Sequence, residues 1–363
     1  MMQYKLYLTL ACAALWHCAE ARTIVADSAD NAPLVAASVF DSRGTLVAIT
    51  DTAGGFDAAP PVSVRCLGYE PATMSSLTDT LRLTPASYEL PGMTVNLAER
   101  DVLRLICYAR EYMGLTTSRD TAAVFAEYMV DYMLPVKKLK KYKGRYTPRI
   151  LNKRSVKREL HAGEESDSLT TEDDSFLSWL QLAGLYAGKD GDYGTLPDSI
   201  LSGKGSMEIR SKSGVVKSYR LLPQSYVVIS DALAGKKDHR WSPWLFKMLG
   251  LTIVFNELRG SSAYAPTPNG SLHPENLLMS TFALEAEGRG KFFRKALDST
   301  SPVIMKSFIE IYPVDREYLT AAEAREADKD ETAQAEFAVP AQAIPLDEAT
   351  QRLAERARLT VTR

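Results

Sequence analysis

The chain has 363 residues, of which 45% are hydrophobic and 24% are charged, and its formal net charge is −2. These values are typical of a globular protein, and the length favours two domains over one. A net charge this close to zero excludes a whole-molecule field that attracts polyanions, so we expect no nucleic-acid partner.

Residues 1–21 have the pattern of a secretory signal peptide. Lys5 is followed by an apolar run from Leu6 to Trp16, and Ala19-Glu20-Ala21 supplies the small residues of a cleavage site. The apolar run is too short for a membrane-spanning helix. We therefore expect cleavage before Arg22 and export to the periplasm or the outer membrane.

The four cysteines predict neither a lipid anchor nor a zinc site. Cys12 and Cys18 lack the leucine and small residues that precede a lipidated cysteine. Cys66 and Cys107 remain after cleavage, in a compartment that permits disulfides. They either join the two domains covalently or remain as two buried free thiols, and we favour the thiols. No CxxC motif is present, so no structural zinc is predicted.

The stretch 22–96 is predicted to be a small antiparallel β-sandwich. Short strands at close spacing are typical of this architecture, and no room is left for the helices of parallel βαβ units. Asp51 before Gly54 indicates a tight turn rather than an acid or metal ligand. We expect Phe56 in the core, a bend at Gly68, and Tyr69 packed with its hydroxyl in water. The β-rich runs are 35–40, 45–50, 62–67 and 80–83.

Four ordered strings in this stretch carry a family resemblance. They are Pro33-Leu34-Val35-Ala36-Ala37-Ser38-Val39, Thr50-Asp51-Thr52-Ala53-Gly54-Gly55-Phe56, Leu67-Gly68-Tyr69-Glu70 and Leu81-Arg82-Leu83-Thr84-Pro85. In this order they resemble the carboxypeptidase regulatory-like domain. The resemblance implies a transthyretin-like sandwich without catalysis of its own, at the front of an envelope protein of Gram-negative bacteria. Such domains often precede a receptor barrel, but the residues after 96 are too few for one.

Residues 97–320 are predicted to form a second, α+β domain, a mainly antiparallel sheet with flanking helices. A helix is predicted over Asn96–Met113, which Asn96 can cap and Gly114 can end. The stretch Val124–Leu134 suits a helix or a strand, and we favour a strand because the later chain is β-rich. Phe176–Tyr186 is predicted as an apolar helix. Further strands are predicted over 225–230, 251–257, 278–285 and 303–312.

Charge is segregated in the middle of this domain. Residues 137–158 contain 11 Lys or Arg and no acid, and 159–174 contain 7 acids and no Lys or Arg. The favoured interpretation is a solvated strand pair followed by a disordered acidic loop. The functional alternative is an anion-binding face for lipid phosphates or acidic glycans. Its candidate residues are Lys137, Lys138, Lys140, Lys141, Arg145 and Arg149.

Residues 321–363 form a charged tail. Ala321–Lys329 is predicted to be a polar helix, and Pro340–Pro345 is predicted to be a linker. Leu346–Leu359 is predicted to be an amphipathic helix with Leu346, Leu353 and Ala357 on its apolar stripe. We expect this helix to dock on the preceding domain.

A zinc-peptidase pattern occurs but lacks a supporting context. His161 and Glu164 have the HxxE form, and His273 lies far downstream. The first two residues lie in an acidic, Gly- and Ser-containing stretch that is not expected to hold ligands rigidly, so we expect no metal. The chain also lacks GxSxG, SxxK and nucleotide-binding glycine motifs, so no cofactor is predicted.

Three functions follow, in order of preference. The first is a non-catalytic exported envelope protein, a binding or assembly module whose partner is an envelope protein, glycan or lipid. The second is a periplasmic carrier that shields a lipid or lipoprotein tail on an open antiparallel sheet. The third is a hydrolase with two distant carboxylates. A deep apolar groove on the second domain favours the carrier, and a polar cleft with convergent carboxylates favours the hydrolase. No segment after residue 21 is predicted to span a membrane, since Trp241–Phe255 is short and contains Lys247.

Overall fold

A computed structural model of the chain is mostly antiparallel β-sheet, with 51% strand and 13% helix. The predicted signal peptide and the predicted boundary at residue 96 lie outside the described residues. Those residues are 22–86, 101–117, 120–161, 164–168, 178–185, 193–202, 207–210, 214–244, 248, 252–290, 293, 302–346 and 348–360.

Residues 22–86, which we call the front region, form two small sheets around one core. The three-stranded sheet has the order β4-β1-β7, and the four-stranded sheet has the order β3-β2-β5-β6. Both sheets contribute to the core, which includes Val25, Val39, Phe56, Val64 and Leu83. The strands are β1 (Thr23–Asp27), β2 (Ser38–Asp41), β3 (Leu46–Ile49), β4 (Gly55–Phe56), β5 (Val62–Arg65), β6 (Ala72–Met74) and β7 (Thr80–Leu83).

Two features of the front region differ from the sequence predictions. β1 and β7 pair in parallel, whereas an antiparallel arrangement was predicted throughout. The parallel pair is possible because the intervening chain passes through the other sheet and returns, which supplies the crossover that parallel strands need. The Tyr69 hydroxyl is buried rather than hydrated, since it donates to Asp27 at 2.7 Å and accepts from Arg220 at 2.6 Å. Asp51 forms the predicted turn by accepting from the backbone N–H groups of Ala53 and Gly55.

The rest of the described chain is organised by a ten-stranded antiparallel sheet with the order β11-β10-β9-β8-β17-β16-β15-β14-β13-β12. Its first and last strands along the chain, β8 and β17, are neighbours in the sheet, as the fourth and fifth strands of this order. Their side-by-side placement closes a loop of about 200 residues and makes the sheet one unit. The strands are β8 (Val102–Thr116), β9 (Asp120–Pro135), β10 (Arg145–His161), β11 (Glu164–Ser168), β12 (Met207–Arg210), β13 (Val216–Leu222), β14 (Ser225–Asp231), β15 (Thr252–Tyr264), β16 (Leu277–Arg289) and β17 (Val303–Leu319).

The helices whose bounds the structure describes lie outside the sheet. They are α1 (Asp198–Leu201), α2 (Ala321–Lys329) and α3 (Glu348–Thr360), with 3₁₀ turns at Leu180–Leu182, Lys237–His239 and Pro274–Asn276. A capping box between Thr320 and Glu323 begins α2, whose bounds match the polar helix predicted over Ala321–Lys329. Among the described residues, no helix is both long and apolar enough to cross a bilayer.

The predicted helix over Asn96–Met113 is wrong, because residues 102–113 belong to β8. Strand β8 is covered on both faces. Leu105 and Cys107 lie in one core, whereas Tyr108 and Tyr112 lie in cores on the opposite face. A strand that is apolar on both faces loses its alternation, and its apolar residues also satisfy a helical spacing. Residues 178–185, within the predicted helix Phe176–Tyr186, contain only a 3₁₀ turn. The strand predictions for β9 and β14 to β17 are confirmed.

One face of the ten-stranded sheet, which we call the covered face, packs against the front region and the C-terminal tail. Its members include Tyr108, Tyr112, Met129, Phe308 and Tyr312. The front region approaches the sheet closely at Gly68, where a Cβ atom would lie 2.6 Å from the Leu222 side chain. The φ of Gly68 is +86°. A side chain is therefore disfavoured at this position both by the backbone conformation and by the contact.

Buried charges join the three parts across the covered face. Arg65 of the front region is 1% exposed, donates to the Tyr112 hydroxyl at 2.8 Å and lies 3.9 Å from Glu310. Arg110 lies 3.6 Å from the same carboxylate and donates to the backbone carbonyl of Ile344 at 2.7 Å. Glu310 therefore faces one arginine from the front region and one from the sheet.

The C-terminal tail docks on the domain, as predicted for its last helix. Ala354 of α3 is fully buried among residues of the covered face, and Arg358 lies 3.4 Å from Glu127. The segment 340–345 is not a free linker, because Ile344 is buried and its N–H donates to the Tyr312 hydroxyl. The side chains of Leu353 and Ala357 lie outside the described ones.

The two described cysteines are buried free thiols, as favoured from the sequence. Cys66 lies in the front region, and Cys107 lies on the face of β8 that looks away from it. Burial raises the pKa of Cys66 to about 12 and raises that of Cys107 as well. Neither thiol is therefore activated for chemistry.

Candidate ligand pocket

The opposite face of the sheet, which we call the pocket face, contains a cavity of about 530 Å³. This volume lies in the range of pockets that hold small organic ligands. Strands β13 to β17 form its floor, and the segments around 182–185, 193, 241 and 272–274 form its walls. The floor residues are Lys217, Val228, Ser230, Leu258, Gly260, Ser262, Tyr264, Leu277, Ser280, Thr281, Phe282 and Ile311.

One wall, residues 178–185, is fixed to the sheet through the buried carboxylate of Glu111. Glu111 accepts hydrogen bonds from the Ser178 hydroxyl and the Trp179 N–H, each at 2.7 Å. The hydroxyls of Ser307 and Tyr128, on the neighbouring strands, donate to it at 3.1 Å. Burial raises the pKa of Glu111 above its ordinary value, although these hydrogen bonds oppose the shift. The wall is thus anchored by a group that has no direct exposure to solvent.

The same wall is held again at its far end. The N–H of Leu185 donates to the carbonyl of Tyr146 at 2.9 Å, and the Tyr132 hydroxyl donates to the carbonyl of Ala183 at 3.0 Å. Leu180 is 1% exposed and lies in the core of the pocket face. These contacts preform the wall, so the cavity does not depend on a ligand to order this segment.

An aromatic stack forms the adjoining part of the site. Phe255 of β15 lies between Trp179 and Trp241, with ring centroids 5.8 Å and 5.6 Å away. The Trp179 ring meets it edge-on, and the Trp241 ring stacks on it. The backbones of Trp241 and Phe255 also form two mutual hydrogen bonds, at 3.1 Å and 2.8 Å. Trp241 is therefore fixed although 40% of it is exposed.

The polar groups in the pocket are mostly uncharged. The hydroxyls of Ser262 and Ser280 lie 3.0 Å apart on adjacent strands, and Ser230 and Thr281 also line the cavity. Among the described lining residues, Lys217 is the one charged side chain, and it is exposed. An apolar cavity with hydroxyls and one cation at its border suits an amphipathic ligand better than a sugar or a metal.

Tyr193 adds a buried hydroxyl to the pocket wall. No hydrogen-bond partner for this hydroxyl occurs among the described residues. The ring packs edge-on against His273 with centroids 5.1 Å apart. Burial raises the pKa of Tyr193, and the neighbouring Tyr146 and Tyr264 add to the shift. The hydroxyl therefore stays protonated and can donate a hydrogen bond to a ligand.

Gly260 lies in the floor with open space above it. A Cβ atom at this position would meet no other heavy atom within 4 Å, apart from those of its chain neighbours. The position therefore accepts a side chain without a clash, and that side chain would occupy the cavity. This property makes Gly260 a direct probe of the pocket.

The six basic residues proposed for an anion-binding face do not form one surface. Arg145 and Arg149 turn inward and pair with the buried Asp131 at 2.8 Å and 2.7 Å. Arg145 also holds Asp328 of α2 at 3.0 Å. Although burial raises the pKa of Asp131, the hydrogen bond from Arg149 and the charges of Arg145 and Arg104 bring it below its ordinary value. These two arginines connect the sheet to the tail.

The four lysines of that set remain exposed in the connection between β9 and β10. Lys137 pairs with Asp101 at 2.7 Å, and Lys138 also has an interaction partner. Only Lys140 and Lys141 remain as solvated charges of the original set. Part of the acidic stretch that was predicted to be a disordered loop is a strand, because residues 164–168 form β11 and pair with β10.

Two residues of the zinc-peptidase pattern are neighbours across a hairpin, and the third lies on another part of the chain, beside the pocket. His161 and Glu164 are register partners at the end of the β10–β11 hairpin, rather than members of a disordered loop. His273 lies beside the pocket, 3.7 Å from Glu275. Within the described parts of the chain, no cluster of three or more potential metal ligands occurs.

Convergent carboxylates are found on the covered face rather than in the pocket. Glu257 and Glu285 are register partners on β15 and β16. Arg259 is 2% exposed and contacts both Glu257 and Asp231, at 3.0 Å and 3.1 Å. Burial raises the pKa of Glu257 to about 8, although Arg259 opposes the shift. Lys306 lies 3.6 Å from Glu285, so each carboxylate of this cluster faces a cation of the same chain.

No protein-family model matches the chain, and no curated protein matches it at a significant level. Among solved structures, one of lipovitellin, described as showing lipid–protein interactions in lipovitellin, matches 69% of this chain. The sequence identity is 13% and the TM-score is 0.30. This chain covers 28% of the lipovitellin chain. A TM-score this low does not establish a shared fold.

No local motif in the sequence marks the pocket. Leu258, Gly260, Ser262 and Tyr264 alternate along β15, and this alternation is the one signal that places them on a common face. Trp241 belongs to the stretch that was considered only as a membrane span. The residues of the other pocket walls come from separate segments of the chain, around 182–185, 193 and 272–274.

Proposed function

We propose that this chain is an exported envelope protein that holds the apolar part of an amphipathic ligand, a lipid or a lipoprotein acyl tail, in the cavity on the pocket face. The observation that carries the proposal is the cavity of about 530 Å³ itself, which has a mainly apolar lining, a preformed wall, several hydroxyls and a single charged side chain, Lys217, among its described lining residues. Burying a hydrocarbon chain there contributes about 0.8 kcal/mol per methylene group.

The front region has a supporting role in this proposal. We take it to be a carboxypeptidase regulatory-like domain, on the basis of the four ordered strings and the turn that Asp51 forms. Its strands lie against the covered face, and Arg65 and Tyr69 reach into the sheet. A domain held in this way stiffens the sheet from behind and leaves the pocket face to the ligand.

A binding or assembly role without a pocket ligand is less well supported. That function depended on the basic face, and Arg145 and Arg149 are engaged inside the molecule. Lys140 and Lys141 are two exposed charges on one connection, which is a weak basis for a partner surface. The carboxylates that a hydrolase needs are paired with arginine and lysine on the covered face.

The test is ligand binding by the mature chain and by two variants at Gly260. An environment-sensitive fluorescent fatty acid serves as the probe, and long-chain fatty acids and lysophospholipids serve as competitors. Gly260→Leu places a branched side chain in the cavity and is expected to weaken probe binding at least tenfold. Gly260→Ala, the matched control, adds one methyl group and is expected to change affinity less than threefold.

The fold must survive both substitutions, and thermal unfolding checks this. Because a Cβ atom at 260 meets open space, both variants are expected to melt within a few degrees of wild type. Native mass spectrometry of the purified chain adds an independent readout of co-purified lipid. Probe binding by wild type that Gly260→Leu leaves unchanged contradicts the pocket assignment, as does the absence of binding by every amphiphile tested.

A further inference from the structure

Residues 235–244 and Met248 combine exposed aromatic, apolar and basic side chains, and Trp241 among them lines the pocket. We call these residues the rim segment. Trp244 and Met248 are each 70% exposed, and Trp241 is 40% exposed. Trp244 and Met248 are the two most exposed large hydrophobic residues that the structure describes, and Trp241 lies close to them in sequence. Large apolar side chains that are exposed together on a surface are typical of interaction sites.

One residue of the rim segment, Trp241, is fixed at the pocket. Trp241 lines the cavity and is held by the stack on Phe255 and by the two backbone hydrogen bonds to it. Trp241 therefore ties the segment to the cavity, and Trp244 is exposed three residues further along the chain.

Basic side chains flank the aromatic ones. Lys236, Lys237 and Arg240 are exposed, and Asp238 is the one acid among the described residues of the segment. Arg240 lies 3.3 Å from Glu287 while remaining 49% exposed. His239 turns back toward Asp231 and stays out of the exposed set. Lys217 is a separate exposed cation, on the floor of the pocket.

We propose that the rim segment binds the surface of an anionic lipid bilayer and brings the pocket mouth to the membrane. Tryptophan prefers the boundary between hydrocarbon and headgroups, where its ring is buried and its N–H stays hydrated. Lysine and arginine beside it contact lipid phosphates, each contributing about 1 kcal/mol near an anionic surface. Membrane binding stands on these residues alone, whereas ligand transfer from bilayer to pocket rests on the proposed function.

A bilayer fits this surface better than a protein partner does. Trp244 and Met248 lie on the connection between β14 and β15 and are each 70% exposed, whereas a bound peptide helix usually fills a groove. Among the described residues of the segment, the charged side chains are basic apart from Asp238, and this excess of cations suits an anionic surface. A lipid surface is also the source from which an apolar ligand would enter the cavity beside Trp241.

Vesicle co-sedimentation of the full mature chain tests the proposal. Vesicles of phosphatidylethanolamine with phosphatidylglycerol are compared with vesicles of phosphatidylcholine alone, from low to physiological salt. The chain is expected to bind the anionic vesicles and to lose binding steeply as salt rises. A blue shift of tryptophan emission on binding is expected from the insertion of Trp244.

Three variants separate the contributions. Trp244→Ala is expected to lower the partition coefficient about tenfold and to remove most of the blue shift. Lys236→Gln with Lys237→Gln is expected to lower it roughly thirtyfold at low salt, at about 1 kcal/mol for each charge. The matched control is Lys140→Gln with Lys141→Gln, which removes two exposed lysines from the β9–β10 connection and is expected to leave vesicle binding unchanged.

Failure of the membrane proposal is distinguishable from failure of the pocket. Gly260→Leu is expected to lose the fatty-acid probe and to keep vesicle binding, because the substitution lies inside the cavity. Wild type that does not sediment with anionic vesicles at low salt overturns the membrane proposal. So does equal binding of wild type, Trp244→Ala and the rim lysine variant, or loss of binding only in the control at Lys140 and Lys141.

Discussion

The two faces of the ten-stranded sheet satisfy their polar groups in different ways. On the covered face, Arg110, Glu127, Asp131, Arg259 and Glu310 are buried and pair with opposite charges from the sheet, the front region or the tail. On the pocket face, the polar side chains that line the cavity are hydroxyls apart from the exposed Lys217, and the buried Glu111 is held by hydroxyls and one backbone N–H.

This difference indicates that the covered face serves the stability of the fold, whereas the pocket face is able to accept a ligand. A buried ion pair requires a partner in good geometry, so a face built from such pairs is committed to contacts within the chain. Hydroxyls and apolar side chains can be covered either by protein or by a ligand, since neither carries a charge that must be neutralised. The faces are therefore expected to respond differently to substitution.

The largest effect is expected on the covered face, at Arg65. Arg65→Met removes the cation from a site that is 1% exposed and leaves Glu310 with Arg110 only. Loss of one partner from a buried pair costs about 3–5 kcal/mol of unfolding free energy. Urea denaturation measures the change. The matched control is Arg43→Ala, whose pair with Asp41 is half-exposed and contributes within about 1 kcal/mol. Equal effects at the two arginines would contradict the comparison.

A pH dependence is expected next, from Glu257. Its folded pKa of about 8 lies above the ordinary value of about 4.3 in an unfolded chain. The stability that this group contributes is therefore fully present below about pH 4 and is lost as pH rises toward 8. Glu257→Gln removes the titrating group, so the wild-type chain should lose up to a few kcal/mol more than the variant between pH 4 and pH 8. Denaturation curves at several pH values measure this, and parallel pH profiles would refute it.

A smaller effect is expected at Tyr69, which joins the front region to β13. Tyr69→Phe keeps the ring but removes the hydroxyl between Asp27 and Arg220. Leaving these buried partners incompletely satisfied costs about 1–3 kcal/mol of unfolding free energy. The midpoint of chemical denaturation is the readout. A variant as stable as wild type would mean that the hydroxyl does not link the two regions.

The smallest effect on stability is expected on the pocket face, at Tyr193. Tyr193→Phe removes a hydroxyl that has no hydrogen-bond partner among the described residues, so stability should change by about 0.5 kcal/mol or less. Affinity for a fatty acid should fall severalfold if the hydroxyl donates to the ligand, whereas affinity for a ligand without a polar head should not change. Calorimetric titration with a matched pair of ligands separates the two cases, and a large loss of stability would place Tyr193 in the structure rather than in the site.

Much of the β structure could be read from the sequence. The runs 225–230 and 303–312 predict strands because β-branched and aromatic residues recur in them between turn residues. Strands β14 and β17 contain these runs. The turn at Asp51 and the start of α2 at Thr320 were also predictable, since each depends on hydrogen bonds within four residues. Features of this kind need no distant partner.

Other features were decided only when the sheet assembled. The helix predicted over Asn96–Met113 fails because β8 is buried on both faces, so the period of its apolar residues does not reveal a strand. The basic residues Arg145 and Arg149 look free in the sequence, but the pairing of β9 with β10 places Asp131 beside them. Charge along the chain indicates where cations occur, and the register of the strands decides whether they face water.

The sequence by itself determined where most of the strands, turns and C-terminal helices form, since those depend on neighbours along the chain. The tertiary structure alone decided which face of each strand became core and which became cavity. Leu185, Tyr193, Trp241, Gly260 and Leu272 lie far apart in the sequence and meet only because five antiparallel strands hold their segments over one floor. Spacing along the chain does not encode this meeting, because it depends on what packs against each face of the sheet.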